Sequence, residues 1–300
     1  MKVFDLPDKS RPVPSVRALN TWLADAERDT GVTAKRVGWL VASTIVVAAL
    51  QRALGDDQQP MFLVKGGVYI EFNLGLRART TRDVDTLFRG GLVEFASRLD
   101  EALALPWGPF SLTRTEVEVI DAPKLVQPRR FWVQLNAKGS VWRRIQVEVS
   151  FPEGDMASQS RALVPPNIGF FGLDAPEQLI GVAMDYQVAQ KLHAASDPDE
   201  AGYENQRVHD ICDLLLVKDA FYHGPPPASL KAACVDIFGY RASEAAQLGR
   251  PVRYWPPTFT INDYWRLAYP TLAESLAIAL TMDEAVTVIE RWVAEIDRVE

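Results

Sequence analysis

From Ile145 to Phe151 the chain alternates: Ile145, Val147, Val149 and Phe151 are apolar, while Gln146, Glu148 and Ser150 are polar. A strand sends successive side chains to opposite faces, so this stretch buries one face and turns the other to a cleft or to water. Leu112–Ile120 and the stretch opening at Phe131 alternate in the same way. Met61–Val64 is a short apolar run before Gly66-Gly67 and reads as a strand then a turn. Val84–Phe88 reads as another strand, followed by Gly90-Gly91 and an amphipathic helix to about Leu105. Val68–Leu74 fits helix or strand equally.

Strands therefore cluster in residues 60–151. Helices precede them: Ser15 caps one running to about Arg28, and Thr33 caps another over about Ala34–Leu54. The segment up to about Pro14 reads as an extended arm. Beyond Pro165-Pro166 the alternation stops and the chain reads as helical. Asp174-Ala-Pro176 opens a helix that Asp197-Pro198 ends, a second spans about Glu204–Tyr222, and the last two hold Thr271–Leu280 and Met282–Val299. The expected organisation is an α+β domain over 1–164 joined to a helical domain over 165–300.

Composition excludes several classes. With 48% hydrophobic and 24% charged residues the chain is an ordinary globular protein, and a net charge of −7 argues against coating nucleic acid by bulk attraction. Cys212 and Cys234 are too few for a disulfide framework or a zinc site and read as inert core thiols, which fits a reducing cytoplasm. The N-terminus lacks an apolar signal core. Val37–Leu50, the most apolar stretch, is shorter than the roughly 20 residues a bilayer requires and reads as a buried helix.

Asp83 and Asp85 stand two apart at the mouth of a strand, so both carboxylates share a face about 7 Å apart. That spacing suits a divalent ion, and an exposed strand end carries the same pattern without one. Three features favour the ion. Gly66-Gly67 follows a strand, where bare backbone N–H groups can approach a phosphate. Glu148 adds a third carboxylate on a polar strand face, unless it merely pairs with Arg144. Lys191 precedes Arg207, Asp210 and Asp213, whose i, i+3 spacing sets them on one helical face as a site or a structural ion-pair network.

Phe62-Leu-Val-Lys-Gly-Gly, Arg79-x-Thr81-x-Asp83-Val-Asp85, Lys191-Leu-His-Ala and Arg207-x-x-Asp210-x-x-Asp213-Leu, in that order, resemble the AbiEii-type nucleotidyltransferase toxins of the DNA polymerase β-like superfamily. The resemblance implies a nucleotidyltransferase-like mixed sheet with flanking helices, a helical C-terminal region and an active site between them. It implies a toxin of a toxin–antitoxin or phage-defence module that transfers NMP from an NTP to RNA, in some relatives the tRNA 3′ end, thereby blocking translation. The usual partner is a winged-helix antitoxin. Three positions depart from the superfamily pattern: Gly67 stands where serine is commoner, His209 where lysine is common, and Glu148 where aspartate is usual.

On this reading Asp83, Asp85 and Glu148 hold Mg²⁺, with Glu148 as ligand or base. Gly66 and Gly67 meet the triphosphate, Lys191 reaches a β- or γ-phosphate, Asp210 and Asp213 orient Lys191 and the nucleoside, and Arg207 ties the helix to them. Arg79 and Arg82 flank the aspartates as phosphate ligands or structural partners. Lys124, Arg129, Arg130, Lys138, Arg143 and Arg144, interleaved with Phe131, Trp132 and Trp142, form either an RNA groove or a solvated sheet edge. The acidic end (Asp283, Glu284, Glu290, Glu295, Asp297, Glu300) faces a basic antitoxin or simply water.

Other functions use much of the same chemistry. A small-molecule or protein nucleotidyltransferase would keep the carboxylates, and a non-catalytic nucleotide-binding protein would keep the fold. A metal-dependent nuclease usually carries lysine two residues after its strand acid, where this chain has Ser150.

Overall fold

The computed structural model describes residues 6–200 and 202–300, so Met1–Asp5 of the expected arm lie outside the described residues. Leu6–Pro14 forms no helix or strand but docks on the body: Leu6 and Val13 are buried, and the Val13 N–H donates to the Gly172 carbonyl at 2.9 Å.

Among the described residues eight strands form one mixed sheet. They are β1 (Phe62–Lys65), β2 (Asp83–Phe88), β3 (Ser111–Arg114), β4 (Glu118–Val119), β5 (Arg129–Ala137), β6 (Ser140–Ser150), β7 (Ser160–Leu163) and β8 (Leu179–Val182). Their order is β3-β5-β6-β2-β1-β8-β7, with β4 also pairing β5. β2 runs parallel to β6 and β1 to β8; the other pairs are antiparallel. The β5–β6 hairpin turns at Lys138-Gly139, with φ of 50° and 79°, the left-handed pair a tight two-residue hairpin needs.

The alternation read in β6 decides which face is wet. Val147, Val149, Phe131 and Val133 are fully buried on one face, and Phe62, Phe88 and Phe95 continue that layer with ring centroids 4.9–6.1 Å apart. Behind it lie α1 (Val16–Thr30), α2 (Ala34–Leu50) and α4 (Leu92–Leu103). Ser15 and Thr33 cap α1 and α2 as the sequence indicates. α2 is buried nearly all round, which accounts for its continuous apolar composition.

The undecided Val68–Leu74 is helix α3 (Gly66–Leu74), wedged between the sheet and the C-terminal helices. Those are α5 (Met184–Ala195), α6 (Val208–Phe221), α7 (Ala228–Gln247), α8 (Asp263–Ser275) and α9 (Met282–Asp297). Cys212 and Cys234 are free and buried, and burial pushes the Cys212 thiol up to about 12.

Several boundaries differ from expectation. Asp174-Ala-Pro176 opens no helix; the chain continues into β8, and α5 begins only at Met184. β7 and β8 pair across residue 165 and β8 lies beside β1, so the sheet draws on both halves of the chain. Four-residue strands are too short to show a period, which hid both. Leu112–Ile120 is broken into β3 and β4. α8 starts earlier than read because Asn262 caps it, accepting from the Trp265 N–H at 2.9 Å.

Candidate active site

Register assembles a charged row on the open face of the sheet. Asp85 lies opposite Lys65 on β1 and opposite Glu148 on β6, and Glu148 lies opposite Arg130 on β5. Directly opposed residues share a face, so the row reads cation, carboxylate, carboxylate, cation across four strands. Asp83 stands one step along, opposite Gln146, and accepts from Thr81 Oγ1 at 3.0 Å.

Asp85 accepts no hydrogen bond from any described residue. Burial pushes its carboxyl up to about 6; Lys65 pulls it down, while Asp83 and Glu148 push it further up. Glu148 is held differently. Its Oε1 accepts from Arg130 Nε at 2.9 Å, Arg130 Nη2 at 2.7 Å and Gln146 Nε2 at 3.0 Å. Its Oε2 accepts none among the described residues. The pairing considered with Arg144 is corrected to Arg130: the antiparallel register sets Arg144 opposite Gln134 instead.

Gly66 and Gly67 open α3 beside these carboxylates. Gly66 has φ +67°, and a Cβ there would overlap the Asp85 carboxylate. Its N–H donates to Gln187 Oε1 at 2.8 Å, so this amide already has a partner. Gly67 heads the helix, where first-turn amides have no intrahelical acceptor.

Lys191 on α5 and the acids of α6 form a buried network. Lys191 Nζ donates to Asp210 Oδ1 at 2.6 Å and Asp213 Oδ2 at 2.8 Å. Asp213 has no solvent exposure and also accepts from Arg79 Nε at 3.1 Å. Burial opposes the charge on Lys191 and Arg79, yet the two aspartates hold both cations above their ordinary values. Burial likewise opposes the charge on Asp210, but Lys191, His209 and Arg207 hold its carboxyl well below the usual range. Arg207 is exposed at the start of α6, 4.0 Å from Asp210. Of the two arginines flanking the aspartates, Arg79 is thus a structural partner of Asp213, while Arg82 is exposed.

Lys65, Gly66, Gly67, Asp83, Asp85, Glu148, Lys191 and Asp210 line one cleft of about 1190 Å³ between the sheet and the C-terminal helices, while Asp213 and Arg130 hold lining residues without lining it themselves. A second wall of it was not anticipated. Glu153 is buried and joins Lys124 at 2.7 Å and Arg241 at 2.8 Å, and Glu244 joins Lys124 at 3.0 Å. His193 Nδ1 accepts from Arg241 at 3.1 Å and Arg253 at 3.2 Å. Burial and then these two arginines hold His193 far below the usual histidine range. Lys65 lay in plain view within Phe62-Leu-Val-Lys, but only the register reveals that it faces Asp85.

The basic segment does not stay together. Lys124 sits in the cleft, Arg130 binds Glu148, and Arg143 lies against Gly38 of α2. Phe131 is in the core, and Trp142 stacks on Phe110 with ring centroids 4.9 Å apart. Among the described residues no three His, Cys, Asp or Glu side chains are drawn together tightly enough to cage a metal by themselves. No described helix is long and apolar enough to cross a membrane.

A mixed sheet with an acidic pair at a strand mouth, a helix opening beside it and a lysine locked across the cleft defines a nucleotidyltransferase-like protein. MenT4, a nucleotidyltransferase toxin from Mycobacterium tuberculosis, is similar over 94% of this chain and 90% of its own, with a TM-score of 0.54 at 15% identity. At that identity the likeness speaks to the fold. An antigenic nucleotidyltransferase-like protein from Paracoccidioides brasiliensis is similar over 70% of this chain and 94% of its own, with a TM-score of 0.40 and 15% identity. No curated protein matches the chain in sequence. The family model for the nucleotidyl transferase AbiEii toxin of type IV toxin–antitoxin systems matches residues 48–288, and the chain belongs to that family. It is a nucleotidyltransferase of the toxin class, and the family implies a nucleotide substrate and an antitoxin partner.

Proposed function

We propose that this protein transfers NMP from an NTP to the 3′ end of an RNA acceptor, tRNA foremost, with Mg²⁺, in the cytoplasm, and that the modified RNA no longer supports translation. The single observation that carries the reading is the pairing of Asp83 and Asp85 on one open sheet face with Lys191 fixed at the other side of the same cleft. The residues 1–164 and 165–300 would then act as one catalytic unit, and a winged-helix antitoxin would silence it.

The carboxylates fit a hard dication. Mg²⁺ is usually held by one or two carboxylates with the remaining positions filled by phosphate oxygens and water. Asp83 and Asp85 supply such a pair, and Asp85 accepts no hydrogen bond from the described protein. When bound there, Mg²⁺ would neutralise phosphate charge and lower the pKa of the attacking hydroxyl. Glu148 keeps Oε2 for a ligand or base role while Arg130 orients it through Oε1.

The chain's own groups have separable tasks. Lys191 has three donors and gives two to Asp210 and Asp213, leaving one for a β- or γ-phosphate oxygen. Those aspartates aim it. The Gly67 amide meets the triphosphate directly; the Gly66 amide does so only by releasing Gln187. Arg207 is exposed beside Asp210, where it can contact the nucleoside.

The acceptor is tested by offering purified protein, Mg²⁺ and each α-³²P-labelled NTP to total tRNA, a protein extract and a set of aminoglycosides in parallel. Label confined to RNA supports the proposal and names the donor. Label on protein or on a small molecule keeps the transfer chemistry and overturns the RNA acceptor.

A further inference from the structure

We propose that Trp132, with Arg144 over its ring, is a stacking platform for a base near the 3′ end of the RNA acceptor. This rests on the reading of the acceptor as RNA. It concerns a surface outside the nucleotide cleft.

The chain has eight tryptophans. Trp265 and Trp292 are buried, and Trp22, Trp39, Trp107, Trp142 and Trp255 pack against the core. Trp132 does neither. It is half-buried on the open face of β5, and its indole N–H has no partner among the described residues. Burying an indole is among the more favourable uses of such a side chain, so one left half-open on a sheet face is available to a ligand.

Its position is set by register. Trp132 lies opposite Gln146, and Gln146 lies opposite Asp83. The ring and the Asp83 carboxylate therefore stand on one face two strands apart, about 10 Å between backbones. At a rise of about 3.4 Å per stacked base, that is about three nucleotides from the reacting end.

The surroundings fit single-stranded nucleic acid. The Arg144 guanidinium lies 5.9 Å from the Trp132 centroid, and Arg144 is exposed. Arg130, two residues along the same strand face, is bound to Glu148 and lies opposite Glu118 of β4, so the free charge beside the ring, among the described residues, is that of Arg144. An aromatic ring with an arginine beside it stacks any base and attracts the adjoining phosphates, which a chain of net charge −7 cannot do in bulk. Phe131 and Trp142, the other aromatics of this segment, are already committed to protein contacts.

The test is steady-state transfer to total tRNA by Trp132→Ala, Trp132→Phe and Arg144→Ala variants. In Trp132→Ala the KM for tRNA should rise about ten- to a hundred-fold, with the KM for NTP within about two-fold of wild type; Trp132→Phe should restore most of the tRNA affinity. A tRNA KM unchanged in Trp132→Ala overturns the platform and leaves RNA transfer standing. An NTP KM that rises in step marks a structural role and also overturns it. Wild-type protein that labels no RNA overturns both readings. Independently of turnover, a short single-stranded RNA carrying 2-aminopurine near its 3′ end should be quenched by wild type and not by Trp132→Ala; equal quenching overturns the proposal.

Discussion

Asp85 and Gly66 are built as one unit: the Asp85 carboxylate rests where a Cβ of residue 66 would be, and Gly66 holds φ +67° to make that room. A helix start and a strand-mouth carboxylate, nineteen residues apart in the chain, thus share one volume.

Gly66→Ala forces a left-handed backbone and a clash with the carboxylate together. We expect a loss of about 1–3 kcal/mol in denaturant unfolding and a drop in nucleotide transfer of at least about a hundred-fold. Gly67→Ser is expected to be milder, because its backbone is not left-handed and an added Cβ meets Thr81 Oγ1 at 3.0 Å, Arg79 Nη2 at 3.1 Å and Thr81 Cβ at 3.2 Å, a crowding that shifts of a few tenths of an ångström relieve. Its transfer rate should stay within about ten-fold of wild type, an activation cost under roughly 1.4 kcal/mol.

Asp213 sits without solvent between Lys191 and Arg79. Asp213→Asn leaves two buried cations short of a counter-charge and should cost about 3–5 kcal/mol in urea unfolding, with transfer lost. Lys191→Met should cost a similar amount. The double variant should cost less than the sum, because the two changes remove one shared interaction.

Glu71 on α3 is fully buried, accepting from Arg36 at 3.3 Å and from Trp39 Nε1 at 3.3 Å. Burial pushes its carboxyl up to about 7, although Arg36 and Trp39 pull it down. A carboxyl raised on folding binds more protons native than unfolded between its two values, so its contribution to stability is present below about pH 4.5 and is lost as pH rises to about 7. The loss is on the order of 3 kcal/mol. Thermal midpoints measured at pH 5 and pH 8 should fall with pH in wild type and fall less in Glu71→Gln. An equal fall in both would contradict the assignment.

His193 accepts at Nδ1 from Arg241 and Arg253, which fixes the ring proton on Nε2 and excludes a second proton. Its ¹⁵N shifts should report the neutral Nε2–H tautomer unchanged from pH 8 down to pH 5. A titration midpoint near the ordinary histidine value, about 6.5, would show that the arginine pair does not hold the ring.

Period-two spacing made the shared strand face of Asp83 and Asp85 and the open face of Glu148 readable, since side-chain direction along one strand is local. Ser15 and Thr33 were readable for the same reason, a cap being a matter of three residues. What needs register was not. Lys65 joins Asp85, and Arg130 rather than Arg144 joins Glu148, only because of how four strands slide past one another. β8 is four residues long and follows Asp-Ala-Pro, a stronger helix signal than any strand signal it could offer. The Glu153–Arg241–His193 wall unites β6's exit, α5 and α7, and no local spacing connects them.

The most direct measurement is transfer of label from α-³²P NTP to total tRNA by wild type and Asp83→Ala at matched thermal midpoints, each with Mg²⁺ and with EDTA. Label on RNA from wild type with Mg²⁺, lost with EDTA and reduced at least about a thousand-fold in the variant, is the expected result. Label that persists in Asp83→Ala, or none from wild type with any of the four NTPs, would contradict a transfer centre at Asp83 and Asp85.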